Sequence, residues 1–210
     1  MRIEHLAPKP DRAGRYLVRF ENGSTIRLYR QTVEDFALYA GLELTDAQMT
    51  ELRSAAGQMS AKMRAVRIVA ASSVSKKDLQ QRLIRKGEDP TQAAEAVAWM
   101  EDLNLVDDRQ TAEQIVNRCA AKGYGMARAK QALYEKRIPK EYWEEVLADY
   151  PDQTEKIVEF LRSRLDDESD ERDRKRAIDA LLRRGHGYGE IRQALRQLDL
   201  EDKFAEEYNG

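Results

Sequence analysis

Residues 183 to 191 read RRGHGYGEI, with three glycines, a histidine and a tyrosine set between arginines and the start of an amphipathic run. A stretch of this kind can cradle a phosphate, lend an imidazole to a metal or a proton transfer, or join two helices. No G-x-x-x-x-G-K-[ST] loop occurs in the chain, and no strand-like segment precedes these glycines as a dinucleotide fingerprint requires. His186 has only His5 and Cys119 as companions of metal-binding or nucleophilic type, each distant in sequence, which speaks against a zinc set or a Cys–His pair. Cys119 itself lies in AEQIVNRCAAKG, where a helical apolar face calls for a small residue. Carboxylates are plentiful, as in LDDESDERDRK at 165 to 175, but mixed-sign runs of this kind are usually solvated helix faces or linkers. The expectation is a protein that is not an enzyme, with no catalytic residue, no metal ligand and no cofactor.

The other chemistry on offer is positive charge at helix ends. RLIRK places Arg82, Arg85 and Lys86 within about one turn. KGYGMARAK offers Lys122, Tyr124, Arg128 and Lys130, and LLRRGHGYGEIR offers Arg183, Arg184 and Arg192. Basic clusters recurring about every 50 residues can follow a phosphate backbone or an acidic protein groove. The competing explanation is that cations in last turns simply complement helix dipoles. The formal net charge of −2 excludes a protein that is basic throughout, so any partner surface must be local.

The elements that must position these residues are mostly helical. With 41% apolar and 35% charged residues, the chain can bury thin cores of the sort small helical layers need. Before the helices, RYLVRFENGSTIRLYR at 15 to 30 alternates apolar residues on either side of Asn22-Gly23 and predicts a β-hairpin. A short helix around 33 to 40 should follow, with Gly41 as its stop. A long helix should then start at Thr45 or Asp46 and carry Met49, Leu52, Ala56, Met59, Met63 and Val66 on one stripe. One cysteine in the chain fits a reducing compartment. No segment reaches the roughly 18 apolar residues that span a bilayer, and the N-terminus lacks a signal-peptide core. A cytoplasmic protein without a membrane partner is expected.

The remainder repeats. LQQRLIRKGEDPTQAAEAVAWM from Leu79, AKQALYEKRIPKEYWEEVLADY from Ala129 and AIDALLRRGHGYGEIRQALRQL from Ala177 align without gaps. Leu83, Leu133 and Leu181 coincide, as do Val97, Leu147 and Leu195. Each unit opens with a helix that stops at Gly87, Arg137 or Gly185, resumes within a few residues, and is followed by a third helix, the last being EDKFAEEY at 201 to 208. The spacing predicts a leader over 1–63 and three-helix modules over 64–123, 124–169 and 170–210. The fold class is mainly α: an N-terminal β-hairpin and helix, then three tandem three-helix modules in an elongated array. In this frame the GYG at 123 to 125 and the GYG at 187 to 189 are not equivalent.

SSVSKKDLQQRLIRKG, LNLVDDRQTAEQ, KGYGMARAKQALYEKRI and KRAIDALLRRGHGYGEIRQAL, in this order, together resemble the RecX family of bacterial RecA regulators. The likeness runs from about Arg64 to Tyr208. The family usually has Gly where this chain has Arg137, and Gly-Phe where it has Gly185-His186. The resemblance implies a helical, monomeric protein, its array elongated and curved, that binds RecA and the RecA–DNA filament and inhibits strand exchange, ATP hydrolysis and coprotease activity. It also implies that Asp107-Asp108 caps a helix. The ten cationic and aromatic residues named above would then be partner-binding. The alternative is a stand-alone DNA-binding protein built from helix-turn-helix-like modules.

Overall fold

The computed structural model describes residues 1–166 and 169–198, so the terminal helix expected at 201 to 208 lies outside the described residues. The chain forms two compact units, 1–106 and 107 onward.

The first unit opens with an antiparallel sheet of β1 (Ile3–Leu6), β2 (Arg15–Phe20) and β3 (Thr25–Tyr29), in that order. The hairpin is present, pairing Arg15 with Tyr29 and Arg19 with Thr25. Its turn differs in detail from a two-residue Asn-Gly turn. The Gly23 amide donates to the Phe20 carbonyl and the Phe20 amide to the Ser24 carbonyl, both at 2.9 Å. Gly23, at φ 77°, is the one turn residue with a left-handed backbone. That is a three-residue loop closed by a left-handed glycine. Strand β1 was not expected, because a register shift between Ile3 and His5 interrupts its alternation. Ile3 faces Phe20 and Leu6 faces Val18, so apolar residues three apart share one face.

Helix α1 (Arg30–Asp35) starts three residues before the predicted helix and ends sooner, at a turn where Ala37 adopts φ 46°. Helix α2 (Asp46–Ala71) begins at Thr45, whose hydroxyl accepts from the Gln48 amide while Gln48 returns the bond in a capping box. This helix serves two cores. Met49 and Leu52 pack with Ile3, Val18, Phe20 and Leu28 of the sheet. Further along, Ala61, Ala65 and Ile68 pack with α3 (Lys76–Arg85) and α4 (Pro90–Asp102), through Leu79, Leu83, Ala93, Ala96, Val97 and Met100. The predicted stripe through Met59 and Met63 therefore changes side midway. The close approach of α4 explains the shift to small residues, since a Cβ on Gly57 would lie 2.3 Å from the Gln92 side chain.

The second unit holds two helical trios. In the first, α5 (Asp108–Ala121), α6 (Met126–Glu135) and a 3-10 turn at Lys140–Tyr142 leading into α7 (Trp143–Ala148) enclose Ala112, Ile115, Val116, Cys119, Ala129, Leu133, Ile138 and Leu147. In the second, α8 (Thr154–Arg162), α9 (Glu171–Arg183) and α10 (Tyr188–Gln197) enclose Ile157, Val158, Leu161, Ile178, Leu181, Ile191 and Leu195. The cores thus group the helices one step earlier than the sequence frame did. Periodicity fixes the length of a repeat but not its phase, because α5 and α8 could close the preceding pair or open the next.

The aligned helices α3, α6 and α9 end alike. Gly87, Arg137 and Gly185 stand at φ 89°, 55° and 86°, and the amide of the next residue donates to the carbonyl of Leu83, Leu133 or Leu181. This is a Schellman ending, which normally recruits glycine. The next residue is buried each time: Glu88, Ile138 and His186. Isoleucine suits that place, whereas a carboxylate needs partners. Arg64 on α2 reaches Glu88 Oε1 at 2.7 Å, and the Ser60 hydroxyl donates to the same oxygen at 3.0 Å. Arg64 also donates to the Lys86 carbonyl, tying α2 to the junction twice.

Replacing Glu88 with Ala should lower the stability of the chain by about 1.5–3 kcal/mol, because a charged hydrogen-bond set is lost from a buried place. Glu88→Gln, which keeps an acceptor for Ser60, should cost less. Urea unfolding midpoints check this, and equal midpoints for all three chains would show that the Arg64–Glu88–Ser60 set contributes nothing.

Candidate functional site

At the first junction, the three cations of the last turn of α3 have unequal roles. Arg82 reaches back one turn to Asp78 Oδ2 at 2.8 Å, and Asp78 is itself buried in the first turn of α3. That pair stabilises the helix and holds the Arg82 guanidinium against α3. Arg85 and Lys86 are exposed and make no ion pair among the described residues. They are the charges this junction presents to solvent.

In the second unit, the glycine stretches at 123 to 125 and 185 to 187 meet, although they are not copies of one motif. The Gly125 amide donates to the Arg184 carbonyl at 3.0 Å, and the Ala127 amide to the Gly185 carbonyl at 3.3 Å. There is no room for a side chain. A Cβ on Gly125 would lie 2.0 Å from the Gly185 oxygen, and one on Gly185 would lie 2.3 Å from the Arg128 nitrogen. The glycines are there so that two backbones can touch.

Cations close this joint over the carbonyl end of α5. Arg184 Nη2 donates to the Lys122 carbonyl at 3.0 Å, and Lys156 Nζ to the Ala120 carbonyl at 2.6 Å. Arg184 supplies a donor to the Lys122 carbonyl, and Lys156 adds one to an Ala120 carbonyl that already accepts from the Gly123 amide. Both charges oppose the negative pole of the helix. The Arg184 guanidinium also lies 5.4 Å from the centre of the Tyr124 ring and 5.2 Å from that of Phe160. The Tyr150 hydroxyl donates to the Tyr124 carbonyl at 2.7 Å, and burial pushes its pKa up to about 12.

His186 sits inside the joint with its ring buried, and Nε2 lies 3.0 Å from the Gly123 carbonyl. A carbonyl only accepts, so Nε2 carries the proton. Nδ1 has no hydrogen-bond partner and lies 3.9 Å from a Glu190 carboxylate oxygen that already accepts from the Gly187 amide. Burial lowers the His186 pKa, outweighing the Gly123 bond and the Glu190 charge that act the other way. The ring is a neutral packing element. Burial likewise raises the pKa of the Cys119 thiol, an unfavourable setting for a nucleophile.

The predicted partner-binding residues therefore divide. Tyr124 and Arg184 belong to the joint, and Arg128 packs beside Gly185 and pairs with Glu135 at 3.3 Å. Lys122, Lys130, Arg183 and Arg192 are exposed. Lys156, Phe160 and Gly125, which the sequence reading passed over, complete the joint. Asp107 caps α5, its side chain accepting from the Gln110 amide at 3.0 Å. Among the described residues no three His, Cys, Asp or Glu side chains converge as a metal site would require, and no helix is long and apolar enough to cross a membrane.

Comparisons with known proteins fit this arrangement. Residues 107–147, which are α5 to α7, match the family model for the second three-helix domain of RecX. The regulatory protein RecX of Xanthomonas axonopodis pv. citri is 32% identical over 142 residues, covering 66% of this chain and 87% of that protein. The regulatory protein RecX of Streptococcus gordonii is 23% identical over 191 residues, covering 89% of this chain and 74% of that protein. Among solved structures, a regulatory protein RecX superposes with a TM-score of 0.62 at 17% identity, over 94% of this chain and 98% of that one. RecX from Lactobacillus salivarius superposes with a TM-score of 0.60 at 24% identity, over 70% and 99% respectively.

Two outcomes test the joint. Gly125→Ala should destabilise the second unit by about 1–3 kcal/mol, the usual cost of forcing atoms into a filled site. It should also speed hydrogen exchange at the Gly125 and Ala127 amides; unchanged exchange would mean that the two glycine stretches do not touch in solution. The pH dependence follows from His186. Its folded pKa lies below the unfolded value of about 6.5, so the unfolded chain takes up the proton first as pH falls. Stability from this residue is complete above about pH 6.5 and declines below it. Urea midpoints of the parent and His186→Phe chains between pH 7.5 and 5 should diverge in that direction, and parallel curves would refute it.

Proposed function

The chain belongs to the RecX family of regulatory proteins, and from that premise we propose that it binds RecA and the RecA–DNA filament and inhibits strand exchange, ATP hydrolysis and coprotease activity. It acts as a monomer in the cytoplasm, in homologous recombination, DNA repair and the SOS response, and by contact rather than by catalysis. The observation that carries this reading is the match along 87% of the length of a RecX relative, together with the match of residues 107–147 to the second three-helix domain of RecX.

The surface chemistry supports it. A filament of protein on DNA presents phosphates and acidic side chains at regular intervals. The exposed cations Arg85 and Lys86 on the first unit, and Lys122, Lys130, Arg183 and Arg192 on the second, give separate footholds. Contacts that are individually weak gain from being tethered in one chain, because each after the first forms at high effective concentration. Modest basic patches on a chain of nearly neutral charge then suffice. Tight binding to DNA alone would call for a more basic protein, and the net charge of −2 favours the filament as the main target, with free DNA bound only weakly.

Substoichiometric amounts of the protein should suppress the DNA-dependent ATPase of RecA, and an unaltered rate at equimolar or excess protein would end this proposal. Arg85→Ala with Lys86→Ala should weaken binding to the filament roughly tenfold, about 1.4 kcal/mol, with helical circular dichroism unchanged. Arg82→Ala should instead act on stability through Asp78. Equal filament affinity of the double variant and the parent, by light scattering, would remove the first junction from the contact surface. Salt-sensitive binding to DNA of equal strength with and without RecA would favour the stand-alone DNA-binding reading.

A further inference from the structure

Between the end of α1 and the first turns of α2 the first unit carries an open groove of about 580 Å³. Phe36, Leu42 and Leu44 line it with carbon, Tyr39 stands beside them, and Asp35 and Glu51 supply carboxylates. Its wall from Gly41 to Leu44 is fixed to the edge of the sheet. The Ile3 amide donates to the Leu42 carbonyl at 2.9 Å, and the Gly41 amide to the Ile3 carbonyl at 2.8 Å. The Leu44 amide donates to the Met1 carbonyl at 2.8 Å. The groove is thus preformed, as binding clefts usually are. Tyr39 is 59% exposed, and its ring and hydroxyl are the kind of surface that protein contacts favour.

The charge around this groove has one sign. From Gln31 to Leu52 the chain carries Glu34, Asp35, Glu43, Asp46 and Glu51 and no lysine, arginine or histidine, although its charges nearly balance as a whole. Glu34 is paired with Arg30 at 2.7 Å, and Asp35 accepts from the Gln31 side-chain amide at the same distance. Glu43, Asp46 and Glu51 are exposed and make no ion pair among the described residues. Such a surface repels a phosphate backbone, and a bare cation would leave the apolar lining unused. Its complement is a protein segment with an arginine or lysine beside a large apolar side chain. The apolar group loses water against Phe36, Leu42 and Leu44, while the cation meets Asp35 or Glu51 and the ring of Tyr39.

We propose that this groove is a docking site for a cationic segment of a partner protein that also carries a large apolar side chain, with Tyr39 as the anchor. That the segment belongs to the recombinase, and not to its DNA, rests on the proposed function. The acidic groove and the cationic junctions then engage two different surfaces of one filament.

A blocked Arg-Leu-Phe-Arg peptide, titrated into the isotope-enriched full chain, should shift the amide signals of Ala37, Tyr39 and Leu42. The same peptide with glutamate for arginine should leave them in place. So should the arginine peptide on a chain with Asp35→Asn, Tyr39→Ala and Glu51→Gln, its circular dichroism unchanged. Equal shifts with both peptides, shifts confined to other residues, or none at millimolar peptide would overturn the docking site. The triple variant should also bind RecA filaments roughly tenfold more weakly, a common cost of truncating a tyrosine anchor, and bind a single-stranded oligonucleotide as the parent does. Equal filament affinity would overturn the assignment to the recombinase. A loss of oligonucleotide binding would place nucleic acid in the groove and overturn it too. If the parent chain does not bind filaments the proposed function fails, while the peptide titration still decides the groove.

Discussion

A helix ending made with a left-handed residue is the constraint on which this structure turns. At Gly87, Arg137 and Gly185 the chain stops a helix, reverses the sign of φ and points the following side chain into the core. The Schellman bonds satisfy carbonyls that a helix end would otherwise leave open, and they fix the direction in which the next helix departs. With the turn set, Leu83, Leu133 and Leu181 meet the partners on the next helix, and each trio closes around them. Arginine at 137 shows that the geometry outranks the residue preference. A non-glycine residue in the left-handed region costs on the order of 1 kcal/mol, which the packing of Ile138 and Leu133 offsets.

The residue after each turn shows how one buried position takes on different chemistry. Ile138 contributes apolar area and asks nothing of its surroundings. Glu88 cannot be buried in that way, so Arg64 and Ser60 on α2 converge on it, and the first helical core acquires a polar tie to the long helix. His186 takes an intermediate course, neutral and with one ring nitrogen bonded to Gly123. Each polar substitution draws in a partner from outside the two helices that make the turn. The repeat is thus joined to its neighbours at the two of these three positions where the buried residue is polar.

Much of this was legible in the sequence. The alternation around Asn22-Gly23, the Thr45 cap, the aligned leucines and the helix stops all rest on local rules, and local rules read well from a single chain. Two kinds of feature did not. Strand β1 hid behind a bulge that broke its period, and the grouping of α5 and α8 with the helices after them depends on tertiary packing that a periodic pattern leaves open. The residues proposed to meet a partner were harder still. Arg82 and Arg85 look alike in RLIRK, yet one faces Asp78 and the other faces water. Similarly, Arg183 and Arg184 are adjacent, but only Arg184 lies over Tyr124 and Phe160. Helical rotation of about 100° per residue separates such neighbours, and only the positions of the surrounding helices decide which one is enclosed.

That division of labour bears on how a chain of nearly balanced charge presents a cationic surface. Many of its cations are held: Arg64 by Glu88, Arg82 by Asp78, Arg184 and Lys156 by the carbonyl end of α5. Arg64 and Arg82, each paired with a carboxylate, contribute little field at a distance, since pairing with an opposite charge leaves a short-range dipole. The field that reaches a partner comes from exposed cations such as Arg85, Lys86, Lys122, Lys130 and Arg183, and at physiological salt each acts over roughly 8 Å. Over that range net charge is a poor guide, and local placement decides.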